Sequence, residues 1–100
     1  MAAYMIGLGR IEDPERFAKY LEAVPATVMS FGGEVLGIED PAEVLEGTAP
    51  YPRVVLLRFP PKEDARAWKS SPEYQDIVEH RLASSEHVLY LVDELVMPTD

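Results

Sequence analysis

The sequence predicts an α+β fold, with a four-stranded antiparallel sheet and helices on one of its faces. Two observations lead to this class, and a third concerns how the sheet is covered. Four segments have the apolar pattern of β-strands, and apolar stripes at helical spacing separate the first from the second and the third from the fourth. Helix-start motifs that contain proline recur along the chain. The apolar residues of the strands also occupy both faces of the sheet.

The first strand is predicted over residues 4–11, and it carries two glycines on one face. Gly7 and Gly9 share that face because side chains alternate along a strand. Glycine weakens the interior of a strand, so this pair indicates that another group packs close to the backbone. We therefore expect a close approach at this point of the sheet.

The first helix begins directly after this strand. Asp13-Pro14-Glu15 combines an N-cap residue, a proline at the first helical position and an acid in the first turn. Pro25 lies inside the helix and is expected to kink it. Gly32-Gly33 provides the C-terminal cap. The apolar stripe that faces the core is predicted to be Phe17, Leu21, Val24, Val28 and Phe31.

The middle of the chain is predicted to form two strands, over residues 34–38 and 53–59. The fourteen residues 39–52 that connect them are many for a hairpin, and long loops on rigid scaffolds often carry function. Asp40-Pro41-Ala42-Glu43 repeats the Asp-Pro helix start. We expect one short helical turn there, up to Leu45.

The second crossover is predicted to contain two helical segments. The first covers residues 62–70, with Ala65 and Trp68 facing inward. Ser71-Pro72-Glu73 starts the second, over residues 72–83. The inner face of this second segment is predicted to be Tyr74, Ile77, Val78, Arg81 and Leu82.

The last strand is predicted over residues 86–96. The order of elements is then β-α-β-β-α-β, which is the ferredoxin-like arrangement: a four-stranded antiparallel sheet with two helices on one face. The chain of 100 residues is expected to be a single ferredoxin-like domain. Its core covers residues 4–96 and a short C-terminal tail covers residues 97–100.

Composition excludes several classes of protein. The net charge of −9 argues against nonspecific binding to nucleic acid or to anionic membranes, so we expect neither partner. The chain has no cysteine, no apolar run long enough to span a bilayer and no pattern of a signal peptide at its start. A cytoplasmic protein is expected. No phosphate-binding glycine loop or dinucleotide fingerprint is present, and we predict no cofactor.

The second face of the sheet indicates a partner. Residues 54–57 and 88–92 are apolar at consecutive positions, so both faces of the sheet are apolar. A chain of this length has no spare element to cover the second face, and the last strand is an apolar edge. The sequence therefore predicts a two-fold homodimer, with sheet packed against sheet. The alternative is a monomer whose open face is lined by a ligand.

A set of residues spread along almost the whole chain forms a recognisable pattern. Its members are Tyr20, Pro25, Gly32-Gly33, Leu45-Glu46-Gly47, Phe59, Ala65-Arg66-Ala67-Trp68, Ser71-Pro72-Glu73-Tyr74 and Arg81. The pattern resembles the domain-of-unknown-function 1330 family, from about residue 4 to about residue 95, and this resemblance implies membership among the dimeric α+β barrels. That family has no established activity, and kinship of fold alone does not give a reaction.

Two arginines are candidates for binding a substrate. Arg81 lies on the inner stripe of the last helical segment, where a guanidinium needs an anionic partner. The partner is either a protein acid, with Glu46 preferred, or the carboxylate of a ligand. Arg58 lies in mid-sheet among apolar residues and raises the same question. If its face is the dimer side, Arg58 meets an acid of the partner chain or a ligand.

Four further residues are candidates for the site. Glu46 in the long connection is predicted to act as a general base or to pin the loop by an ion pair. His80 is a candidate for proton transfer. Tyr20 and Tyr74 carry hydroxyls that need partners and are predicted to line a pocket and bind substrate. Glu79-His80 and Glu86-His87 look like pairs of metal ligands, but one pair is on a helix and the other at the start of a strand, so their spacing is no evidence for a site and no metal is predicted.

These candidates leave three functional hypotheses open. In the first, the protein is a cofactor-independent enzyme acting on a small, partly apolar and carboxylated compound. Arg81 or Arg58 then orients the anion, and Glu46 or His80 moves a proton. In the second, the protein is a non-catalytic ligand-binding or stress-associated dimeric module. In the third, it is a purely structural interaction protein.

Overall fold

The computed structural model describes residues 1–96. The predicted tail at residues 97–100 lies outside the described residues. The elements follow the order predicted from the sequence, with the second crossover divided into two helices. They are β1 (Ala3–Ile11), α1 (Pro14–Ser30), β2 (Glu34–Glu39), β3 (Arg53–Phe59), α2 (Lys62–Ser70), α3 (Pro72–Ser84) and β4 (Ser85–Asp93).

The four strands form one antiparallel sheet in the order β2-β3-β1-β4. This order places β1 and β3 in the centre and leaves β4 at an edge. The helices pack on one face, where the buried apolar residues of sheet and helices form a common core. The prediction of a ferredoxin-like α+β fold is therefore confirmed. Among the described helices, none is long and apolar enough to cross a membrane.

The predicted caps explain where α1 begins and ends. The Asp13 carboxylate accepts a hydrogen bond from the backbone N–H of Arg16 at 3.3 Å. The helix continues through Pro25 to Ser30. Gly32 follows with a φ of 76°, a left-handed conformation that costs glycine little.

Two residues predicted for the inner helix faces are exposed instead. Leu21 is 39% exposed, and Tyr20 takes its place on the buried face of α1. Tyr20 is inward because α1 packs beside α3, where its hydroxyl meets that of Tyr74. Leu82 is 64% exposed because Val78 and Arg81 lie on the inner face of α3, and Leu82 points away from that face.

The predicted helical turn after Asp40 does not form. Residues 40–52 contain neither helix nor strand. The backbone N–H of Ala42 donates to the carbonyl oxygen of Pro52 at 2.8 Å. This bond joins the two ends of the connection. In a helix that started at Asp40, the N–H of Ala42 would be one of the first-turn donors that a side chain caps, whereas here it donates to Pro52.

The sheet face opposite the helices carries rows of apolar side chains. Ile6 of β1 lies between Leu56 of β3 and Tyr90 of β4, and the next row along β1 is centred on Leu8. Leu56 is 39% exposed and Tyr90 is 53% exposed. This open face agrees with the expectation that the sheet is apolar on both sides.

Candidate functional site

A small cavity of about 70 Å³ lies between the helices and the sheet. Most of its wall is aromatic or aliphatic and comes from both the helices and the sheet, with Phe17 of α1, Leu57 of β3 and Trp68 of α2 among the contributors. The polar residues of the lining are Tyr20, Arg53, Tyr74, Arg81 and His87. An apolar cavity with a few convergent polar groups is the usual form of a small-molecule site.

Two of these polar residues are buried arginines. Arg53 is the first residue of β3, where the period of two puts it on the helix side with Val55 and Leu57. Arg81 comes from the inner face of α3. Each of the two is only 7% exposed. The core thus contains two permanent positive charges on one cavity.

Neither buried arginine is neutralised by an ion pair within residues 1–96. The ion pairs found there have Arg10, Arg58 and Lys62 as their cations. The Nε atoms of Arg53 and Arg81 are buried and have no hydrogen-bond partner in that part of the chain. Burial of a charge without a partner is costly, so these two groups need an explanation.

Arg53 receives partial compensation from two neighbours. Its guanidinium carbon lies 5.2 Å from the centre of the Phe17 ring, which is within range of a cation–π contact. Burial lowers the pKa of Arg53, and the negative charge of Asp40, just beyond β2, opposes that shift. Arginine still remains protonated near neutral pH.

Tyr20 and Tyr74 form a hydrogen-bonded pair inside the cavity wall. Their hydroxyl oxygens are 2.9 Å apart, and their rings meet edge to face at 77°. Burial, followed by the neighbouring Tyr74, raises the pKa of Tyr20 well above its ordinary value, so this phenol stays neutral. One of the two hydroxyls donates to the other, and the accepting hydroxyl keeps its own proton for a further partner.

His87 of β4 is the third kind of polar group in the cavity. Its ring stacks on Phe17 at an interplanar angle of 2°, and its Nδ1 atom lies 2.9 Å from the Ser85 hydroxyl. Burial, then the charges of Arg81 and Arg53, lowers the pKa of His87 to about 4. The imidazole is therefore neutral at neutral pH.

Gly9 makes room for this arrangement. In the sheet register, Gly9 lies opposite Arg53 on one side and opposite His87 on the other. A Cβ atom at this position would overlap the imidazole ring of His87. The close approach that the two glycines predicted is therefore present at Gly9, and the approaching group is His87.

The structure brings together three of the six predicted site residues. Arg81, Tyr20 and Tyr74 line the cavity. Their roles in binding stay predictions, but their common location agrees with the sequence.

The other three predicted site residues lie elsewhere. Arg58 points to the open face of the sheet, where its guanidinium pairs with Glu34 of the same chain at 3.3 Å. His80 is half-buried beside Asp13 and Arg16 at the start of α1, outside the cavity, and its buried Nδ1 atom has no hydrogen-bond partner in the described residues. Its position one residue before Arg81 turns it away from the inner face of α3.

Glu46 is exposed in the long connection, where it borders a groove together with Leu8 and Val54 of the open sheet face. The sheet separates Glu46 from Arg81, which lies on the helix side. The preferred partnership of these two residues is therefore not formed within the chain.

Among the polar residues that line the cavity, the sequence prediction missed Arg53 and His87. Alternation along 53–59 places Arg53 with Val55 and Leu57 on one face, which was a usable signal for an inward arginine. His87 shares a face with Leu89 in the same way. Only the sheet register shows that both meet at Gly9.

No cluster of three or more histidine, aspartate or glutamate residues with the geometry of a metal site occurs in residues 1–96.

The fold defines the class of protein as a ferredoxin-like domain, here with an apolar internal cavity that a few polar groups line. The family model for a domain of unknown function, DUF1330, matches residues 2–95. The chain therefore belongs to that family, as the resemblance in its sequence indicated. No curated protein matches the chain.

Several solved structures share the fold. A protein of unknown function from Rhodopseudomonas palustris is 19% identical, with a TM-score of 0.80 over 96% of this chain and 84% of that one. A dimeric ferredoxin-like protein of unknown function from Jannaschia sp. is 15% identical, with a TM-score of 0.71 over 94% of this chain and 100% of that one. HapK from Hahella chejuensis is 16% identical, with a TM-score of 0.64 over 98% and 97%. At these identities the likeness shows the fold alone.

Proposed function

We propose that this protein binds a small, partly apolar molecule through a carboxylate group, in the cavity between its helices and its sheet. The observation that carries the proposal is the pair of buried guanidiniums, Arg53 and Arg81, on one apolar cavity without an ion pair in the described chain. A carboxylate between them supplies the missing negative charge. Planar guanidiniums hold a carboxylate by two parallel hydrogen bonds, which also fixes its orientation.

The rest of the cavity supports a ligand that is small and apolar beyond its charged group. The volume of about 70 Å³ limits its size. Aromatic side chains, including Phe17 and Trp68, form much of the wall and favour apolar contact. The hydroxyl pair of Tyr20 and Tyr74 offers one further hydrogen-bond donor.

Binding alone and catalysis are both compatible with this site. As a non-catalytic or stress-associated module, the protein needs only the arginines and the apolar wall. As a cofactor-independent enzyme, it also needs a group that moves a proton within reach of the ligand. Since Glu46 and His80 lie outside the cavity, His87 is the residue of the described chain that fits this second role.

The open face of the sheet supports the further proposal that the protein is a homodimer. Its apolar rows through Ile6 and Leu8 leave Leu56 and Tyr90 exposed in the single chain, and a second copy covers them by packing sheet against sheet. The Jannaschia protein and another of the same fold from Thermobifida fusca are described as dimeric. A cytoplasmic location stays a prediction from the sequence.

Thermal denaturation with a panel of carboxylates tests the proposed ligand class. We expect acetate, propionate or butyrate to raise the Tm of the protein, because a ligand that binds the folded state stabilises it by mass action. The matched neutral amides control for apolar contact and should leave the Tm unchanged. Arg53→Met should abolish the shift, whereas Arg58→Met, whose arginine lies on the open face, should keep it. Equal shifts with acids and amides, or none with either, would contradict the proposal.

A further inference from the structure

We propose that His87 is the proton-accepting residue of the cavity, and that a carboxylate bound by Arg53 and Arg81 brings about the uptake of a proton at the Nε2 atom of His87. The inference rests on the proposed function, because it assigns a proton-linked step to the same site. It is carried by three features: a fixed tautomer, an unpartnered ring nitrogen and the charges that surround the ring.

The hydrogen bonds around Ser85 fix the tautomer of His87. The Ser85 hydroxyl oxygen lies 2.7 Å from the carbonyl oxygen of Arg81 and 2.9 Å from Nδ1 of His87. A carbonyl oxygen can only accept, so the single hydroxyl proton of Ser85 points to Arg81. The hydroxyl oxygen must then accept from His87, and Nδ1 carries the hydrogen. Because a neutral imidazole has one N–H, Nε2 keeps its lone pair.

The Nε2 atom is free to use that lone pair. No hydrogen bond to it is formed by the described residues, whereas Nδ1 is occupied by Ser85. The ring lies parallel to that of Phe17, and it occupies the space that a Cβ atom at Gly9 would need. The His87 ring belongs to the same lining as Arg53 and Arg81, so a carboxylate between the two guanidiniums comes close to the imidazole.

The charges around the ring decide when it takes up a proton. The groups that line the cavity with it are Arg53 from β3, Arg81 and Tyr74 from α3 and the neutral Tyr20 from α1, and the charge of Asp40, beyond β2, also acts on it. Burial and the two arginines hold the pKa of His87 down, against the weaker effect of Asp40. A bound carboxylate offsets the positive charges and accepts a hydrogen bond from a protonated Nε2, so the pKa of His87 rises when the ligand binds.

The step is balanced without any other reactant. A proton from solvent forms a bond to the Nε2 lone pair, and the neutral imidazole becomes an imidazolium next to the carboxylate. When the ligand arrives as the neutral acid, its own O–H bond breaks and the same proton moves to Nε2. In both cases the bound state is an ion pair of carboxylate and imidazolium between two guanidiniums.

Titration calorimetry with butyrate measures the proton uptake directly. The titration is run at about pH 5.5, between the pKa of His87 in the unliganded protein and the ordinary pKa of histidine. It is repeated in two cationic buffers that differ in ionisation enthalpy. We expect the observed enthalpy to depend on the buffer, with an uptake of up to one proton per site. The variant His87→Gln should bind butyrate more weakly, because the contact with the imidazolium is lost, and its binding should show no proton uptake. The variant His80→Gln changes the other histidine, outside the cavity, and should keep it.

A nuclear magnetic resonance measurement on the unliganded protein tests the tautomer independently. The ¹⁵N shifts of His87 should show hydrogen on Nδ1 and none on Nε2 at neutral pH. Hydrogen on Nε2, or butyrate binding without proton uptake, overturns this inference and leaves the proposed carboxylate site standing. If no carboxylate of the panel binds at all, the proposed function and the inference both fail.

Discussion

Arg53 and His87 lie on opposite sides of Gly9 in one row across three strands of the sheet, and both face the helices. Gly9 is the position in that row without a side chain, so it leaves the space into which the imidazole ring extends. The row therefore brings together a buried guanidinium, a glycine and an imidazole that belong to three different segments of the sequence.

Replacing the glycine of this row tests the close approach. Gly9→Ala places a methyl group where the His87 ring lies, so the ring must shift and the stacking on Phe17 is disturbed. We expect the free energy of unfolding in urea to fall by about 1–3 kcal/mol. Gly37→Ala is the matched control, because nothing lies within 4 Å of its new Cβ atom, and it should change stability by less than about 0.5 kcal/mol. Similar effects of the two substitutions would show that the ring has room to move.

Arg81 provides the next prediction, because Glu46, its expected partner, lies on the other side of the sheet. With Glu46 beyond the sheet and no ion pair in residues 1–96, Arg81→Met removes an uncompensated buried charge. We expect stability without ligand to be unchanged or increased, and the Tm shift with butyrate to be lost. A double-mutant cycle with Glu46→Gln, measured by urea unfolding, should give a coupling energy near zero. A loss of about 3–5 kcal/mol in Arg81→Met would instead indicate a buried acid paired with it.

The open sheet face predicts the state of assembly. Sedimentation equilibrium at micromolar concentration should give about twice the chain mass of 11.2 kDa. Tyr90→Glu places a charge within the proposed interface, beside Ile6, and should shift the mass to that of a monomer. Leu82→Glu is the control, since Leu82 is 64% exposed on the helix side, and it should leave the dimer intact. A monomeric parent protein at this concentration would remove the case for an interface on this face.

The sequence predicted those features that depend on local signals. The bounds of β3 at 53–59 and of α2 at 62–70 match the prediction because Pro60-Pro61 ends one element and precedes the next. Arg81 was expected to face inward because it follows Val78 at helical spacing, and it does.

Features that depend on the pairing of distant segments were not predicted. The convergence of Arg53 and His87 requires the register of β1 with both neighbours, which no local pattern encodes. The location of Glu46 depends on which side of the sheet the long connection crosses. That side depends on contacts between distant segments, such as the hydrogen bond that the Arg10 guanidinium of β1 donates to the carbonyl oxygen of Pro50.

The pH dependence of stability provides the last prediction, and its sign follows from His87. Its pKa is about 4 in the folded protein and about 6.5 when the chain is unfolded, so the unfolded chain binds more protons between these values. The contribution of neutral His87 to stability is therefore complete above about pH 6.5 and is lost as the pH falls towards 4. Because the ring is only half-buried, solvent screening reduces the effect to about 1–2 kcal/mol.

Urea unfolding of matched histidine variants at about pH 7 and about pH 4.5 isolates this contribution, since the carboxylates of the protein titrate alike in all of them. His87→Gln should lose less stability than the parent protein between the two pH values. His80→Gln should lose as much as the parent, because it leaves His87 and its two arginines in place. Parallel losses in the parent and His87→Gln would mean that His87 titrates normally, and that the buried guanidiniums do not act on its ring.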